Sequence, residues 1–91
     1  MIKRIFSKLF PPPTHFHRTL VTLDDFNECI RLFMYPNTIF WLDDPAPGHI
    51  IINLQNQNIF AFGFMRRVAL LKAEVATNLP VGLQVHWFVS K

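Results

Sequence analysis

The sequence predicts a small α+β domain, and three observations predict it. Two stretches, 23 to 34 and 65 to 78, space their apolar residues as helices do. Several shorter runs alternate apolar and polar residues or are rich in β-branched and aromatic ones, as strands are. Prolines and glycines fall between these runs and leave room for turns. Together they predict a mostly antiparallel sheet with the two longer helices on one face, preceded by a short N-terminal amphipathic helix.

That first helix is residues 1–10, MIKRIFSKLF. Ile2, Ile5, Phe6, Leu9 and Phe10 fall on one face, and Lys3, Arg4, Ser7 and Lys8 on the other. Pro11, Pro12 and Pro13 end it and form an extended spacer. Residues 14–91 are expected to be a single α+β domain. Its first element is a short strand over His15–Val21, with Phe16 and Leu20 on one face. Thr22 is a suitable N-cap for a helix from Leu23 to about Met34, with Asp24 and Asp25 in the first turn. Leu23, Phe26, Ile30, Phe33 and Met34 are its expected buried stripe.

Asn37–Leu42 is β-rich, and Asp43–Gly48 is the expected turn to a strand over His49–Leu54. Gln55–Asn58 is a polar break. Ile59–Phe64 alternates small and large residues and is expected to be the second arm of a hairpin, with a helix starting near Asn58 as the competitor. Met65–Asn78 forms the second long helix. Pro80 and Gly82 precede a final strand, Leu83–Val89, with Leu83, Val85, Trp87 and Val89 on one face and Gln84, His86 and Phe88 on the other. The expected core joins Phe26, Ile30 and Phe33 to Ile51, Phe60, Val68, Leu71 and Val85.

Composition narrows the function. The chain has 91 residues, 51% of them apolar and only 16% charged. Ten Phe and two Trp are a large apolar load for so small a body, so some must lie on the surface, where it marks an interface. All of the +3 net charge comes from Lys3, Arg4 and Lys8, since the remaining basic and acidic residues balance. No apolar run is long enough to span a bilayer, and the N-terminus lacks a cleavage pattern, so the expected compartment is the cytoplasm.

Candidate chemistry is sparse. One cysteine, Cys29, excludes an internal disulfide, and its place beside the buried stripe makes it structural. His15 and His17 share a strand face, but zinc needs further ligands. Asp43-Asp44 stands where a turn expects Asp. The three glycines are dispersed and cradle no phosphate. An enzyme is therefore not expected, nor a cofactor, nor a metal site. Arg66 and Arg67 at a helix start, with Lys72 beyond, are the body's basic cluster.

The stretch from Leu23 to Leu79 resembles a double-stranded-RNA-binding domain. Phe26-Asn27-Glu28-Cys29 is similar to that family's first-helix run, Pro47-Gly48-His49 to its turn before a strand, and Gly63-Phe64-Met65-Arg66-Arg67 to the opening of its last helix. It departs from the pattern at Leu70, where a lysine is usual, in the short span from His49 to Gly63, and in the order of residues in the turn. The resemblance implies phosphate contacts at Arg66 and Arg67 and a minor-groove contact at His49.

The reading that follows is a non-catalytic binding protein that docks on a protein or nucleoprotein partner, as small phage or plasmid inhibitors and adaptors do. Its expected interface residues are Phe6, Phe10, Trp41, Phe88, Arg66 and Arg67. A nucleic-acid module is the first alternative, using Arg66, Arg67, Lys72 and His49 with Lys3, Arg4 and Lys8. Peripheral membrane attachment through residues 1–10 is the second. A homodimer is a further expectation.

Overall fold

A computed structural model describes residues 15–56 and 63–90. The amphipathic helix over 1–10 and the proline spacer lie outside the described residues, as do most of the strand expected over Ile59–Phe64 and Phe60 of the expected core.

The first regular element is helix α1, Leu23–Phe33. Thr22 caps it as expected. The Thr22 hydroxyl accepts from the Asp25 N–H at 3.2 Å, and the Asp25 carboxylate accepts from the Thr22 N–H at 2.9 Å. This reciprocal pair satisfies backbone donors that a helix start leaves free. Strands β1, Ile39–Ala46, and β2, His49–Gln55, follow as an antiparallel hairpin. Helix α2, Phe64–Asn78, then leads to β3, Gln84–Ser90. β3 lies parallel to β2, so the sheet order is β1-β2-β3.

The architecture is the expected α+β class, but the sheet is mixed rather than mostly antiparallel. α2 runs back along the sheet between β2 and β3, and such a crossover makes them parallel. Both edges of β2 are occupied, one by β1 and one by β3. Of the run 59–64, Gly63 is turn and Phe64 is already the first residue of α2.

The strand expected over His15–Val21 is absent. Phe16 and Leu20 are buried and their neighbours exposed, as alternation predicted. Yet the backbone bonds to helices instead of a ladder. The Phe16 N–H donates to the Glu74 carboxylate at 2.8 Å, the Leu20 N–H to the Asn78 carbonyl at 3.0 Å, and the Val21 N–H to Asp25 at 2.9 Å. His17 has φ +65°, which no strand accommodates.

The turn between β1 and β2 is also shorter than expected. β1 continues through Asp43, Asp44 and Pro45 to Ala46, with one extra residue accommodated between Asp43 and Ala46. Pro45 is tolerated there because β1 is an edge strand. Only Pro47 and Gly48 make the turn. Gly48 has φ +79°, and a Cβ on it would lie 2.8 Å from the Gly82 carbonyl oxygen, so both backbone conformation and space require glycine.

The core lies between the two helices and one face of the sheet. Phe26, Cys29, Ile30 and Phe33 of α1 meet Phe64, Val68, Leu71 and Val75 of α2 over Ile50, Ile52 and Leu54 of β2. Phe40, Leu42, Val85, Trp87 and Val89 complete that face from β1 and β3. Two expected members move out. Leu23 is 40% exposed, and Cys29 takes its place on the stripe. Ile51 belongs to the opposite face of β2, because its neighbours Ile50 and Ile52 are the core residues. No helix among the described residues is long and apolar enough to cross a membrane.

Candidate binding face

The pleat that sends Ile50, Ile52 and Leu54 into the core sends Ile51 and Asn53 to the other side of β2. The same alternation places Ile39, Trp41 and Asp43 of β1 there, and Gln84, His86, Phe88 and Ser90 of β3. No described element covers this side. Trp41 is 48% exposed and Phe88 60%.

Strand register sorts these residues into rows. Trp41 pairs with Asn53, and Asn53 with Phe88, so the two aromatics flank one asparagine. Asp43, Ile51 and His86 make the next row in the same way. Two strand spacings separate the ends of each row by about 10 Å. Asn53 ties the rows together: its Nδ2 donates to the Asp43 carboxylate at 3.3 Å and to the Trp41 carbonyl at 3.4 Å. At the start of β2, His49 stacks on His86, with Nδ1 of His49 3.1 Å from Nε2 of His86.

The expected interface residues therefore divide. Trp41 and Phe88 share one face and one row. Arg66 and Arg67 sit in the first turn of α2, on the helical side. Arg67 stacks over the Tyr35 ring at 4.9 Å and donates to the Phe33 carbonyl at 3.4 Å, which ties it to the end of α1. Lys72 has its Nζ 5.7 Å from the centre of the Trp87 ring, again on the helical side. His49 lies at the start of β2, whereas α2 begins beyond the other end of that strand. The structure does not bring His49 together with Arg66 and Arg67. Phe6, Phe10, Lys3, Arg4 and Lys8 lie outside the described residues. Ile39, Asn53 and His86 are further face residues in line with strand alternation, and Ile51, expected in the core, joins them because the run Ile50-Ile51-Ile52 shows no alternation to sort it.

The titratable groups are mostly structural. Glu74, 8% exposed, accepts from Phe16 N–H and from Asn78 Nδ2 at 2.9 Å, and lies 3.5 Å from His15 Nδ1. The Phe16 N–H above all holds its carboxyl below the ordinary value, with Asn78 and His15 adding to it against burial. Burial, helped by the nearby Glu74 charge, pushes the Cys29 thiol up to about 12, so it is no thiolate nucleophile near neutrality. His15 and His17 meet edge to face with ring centres 5.4 Å apart. Among the described residues no three His, Cys, Asp or Glu side chains gather where they could hold a metal ion.

Comparison with protein-family models, curated proteins and solved structures finds no match for this chain. The class is set by the fold alone: a small α+β domain with a mixed three-stranded sheet, helices on one face and an aromatic-bearing open face on the other.

Proposed function

We propose that this chain is a non-catalytic interaction module that docks on a protein partner through the open face of its sheet. The observation that carries this reading is the row Trp41–Asn53–Phe88, two exposed aromatics held on the two outer strands, β1 and β3, of a face that no described element covers. Aromatic side chains supply large contact area at low entropic cost and dominate the energetics of protein interfaces. Rigid strands hold them ready, so little ordering opposes binding.

Nucleic acid is the weaker occupant of this face. Bases stack well on aromatic side chains of a sheet, but phosphates then need nearby cations. None of the described strand residues on this side is Lys or Arg, and Asp43 is an acid. An adaptor or inhibitor role fits the same surface, with no chemistry required of it.

The test is a photo-crosslinking amino acid placed at Phe88 in the full chain, with Ala76 on the exposed side of α2 as the control position, in cells that make the protein. A discrete adduct from position 88, absent from position 76, is expected. No adduct, or equal labelling from both positions, overturns the reading.

A further inference from the structure

We propose that the occupant of the open face is a second copy of this chain, packed sheet against sheet about a twofold axis parallel to β2. This rests on the reading of that face as a docking surface, and it names the partner.

The argument is the face's complementarity to itself. A twofold axis lying between two sheets and along their central strands places each β1 over β3 of the partner subunit and each β2 over its own copy. The rows then match residue by residue. Trp41 meets Phe88 of the partner subunit, and Phe88 meets Trp41 of the partner subunit. Asp43 meets His86 of the partner subunit, so an acid faces an imidazole at both ends of the row. Ile51 meets its own copy on the axis, and so does Asn53, whose amide can both donate and accept. This match arises because the aromatics occupy the same row on the two outer strands, and because acid and imidazole occupy opposite ends of the next. Had Asp43 and His86 both been acids, the same operation would set like charges together. Packed sheets keep nearly parallel strands about 10 Å apart, which the operation preserves.

Size sets the strength. Three strands of about seven residues make a patch of about 14 by 23 Å. At about 320 Å² a side that lies below the usual size of a stable specific interface, so the dimer is expected to be weak and reversible, with dissociation on the order of micromolar or weaker.

Sedimentation equilibrium of the full chain over a wide concentration series tests this. The expected result is a rise from the monomer mass of 10.7 kDa toward twice that mass. Phe88→Asp should raise the dissociation constant about tenfold or more, with circular dichroism unchanged and the urea midpoint nearly unchanged in dilute solution where the chain is monomeric, because the side chain is exposed. Asp43→Lys should weaken the dimer, and adding His86→Asp should restore it, since exchanged charges still meet only if those two residues face each other. Mass that stays monomeric throughout overturns the proposal. So does a dimer indifferent to Phe88→Asp, or a charge exchange that fails to restore. A monomer that still gives a heavier, foreign adduct from position 88 would remove the second copy and leave the docking face. Silence in both experiments removes the docking face as well.

Discussion

Ile50, Ile51 and Ile52 are identical in chemistry and adjacent in sequence, yet they belong to two different surfaces. Ile50 and Ile52 lie under the helices at 8% and 0% exposure, while Ile51 looks out from the open side of the sheet. The covered side is closed by Leu71, Val75, Ile30 and Phe33, and Phe40, Leu42, Ile50, Ile52, Leu54, Val85, Trp87 and Val89 line it from the strands. The open side mixes Trp41, Phe88 and Ile51 with Asn53, Asp43 and His86. Hydrophobicity alone thus does not tell a core residue from a binding residue here. What separates them is the pleat, and which face α1 and α2 happen to cover.

Truncation on the two sides should separate them most sharply. Leu71→Ala and Ile52→Ala each remove fully buried atoms and should cost about 2–5 kcal/mol, a large part of a small domain's stability. Ile51→Ala, at a half-buried position of the central strand, should cost less, about 1 kcal/mol in dilute solution. Urea titration of the three variants reads this directly. An Ile51→Ala loss equal to that of Ile52→Ala at low concentration would break the distinction between the faces.

A next effect tests what holds the chain onto the covered side. Glu74→Gln should cost about 1 kcal/mol near neutrality, because a neutral amide oxygen accepts from the Phe16 N–H less strongly than the carboxylate does. The sign of its pH dependence follows from the lowered value. In the folded protein Glu74 titrates below its ordinary 4.5, so its contribution is complete above that pH and is lost as pH falls through the folded value. Asp25, lowered first by the Thr22 and Val21 N–H groups, acts in the same direction. Urea midpoints measured from about pH 7 to about pH 3 should therefore fall for the parent and fall less for Glu74→Gln. Equal acid slopes for the two would deny Glu74 this role.

Of similar size is the cap. Thr22→Ala removes the acceptor for the Asp25 N–H and should cost about 0.5–2 kcal/mol. The smallest expected effect on stability is that of Phe88→Ser, about 0.5 kcal/mol or less. The same variant should lower binding of a dye specific for exposed apolar surface. If Phe88→Ser unfolds the domain as Leu71→Ala does, the open face is part of the core after all.

Much of this was legible in the sequence, for reasons that differ by element. α1 was readable because its cap, acidic first turn and apolar spacing all agree. β3 was readable because Val85, Trp87 and Val89 alternate with Gln84, His86 and Phe88. The parallel pairing was not, since alternation fixes faces and leaves neighbours open. The His15–Leu20 segment misled because Phe16 and Leu20 are both buried, as on one strand face, although Arg18 between them, which that face would also hold, is exposed. The candidate face was half legible. Trp41 and Phe88 stand out by type, but their sharing of a row is set by pairings between segments far apart in the chain. Arg66 and Arg67 stand out equally, and their place at a helix start already set them apart from the strands that carry Trp41 and Phe88.

The long reach of the β2–β3 pairing also bears on synthesis. The hairpin and α1 are made early and from local contacts, but His49 must wait for Gln84 before its strand has a second neighbour. During that interval the emerging chain carries β2 with one bare edge, and β-branched residues along it are a template for pairing with other chains. The clasp in which the Gln84 N–H donates to the Gly48 carbonyl at 2.7 Å then seats β3 at the start of the ladder and ends the exposure. A chain stopped after Asn78 is accordingly expected to scatter light and pellet at concentrations where the full chain stays clear. Equal clarity of the two would mean that β1, β2 and the helices protect that edge without help from β3.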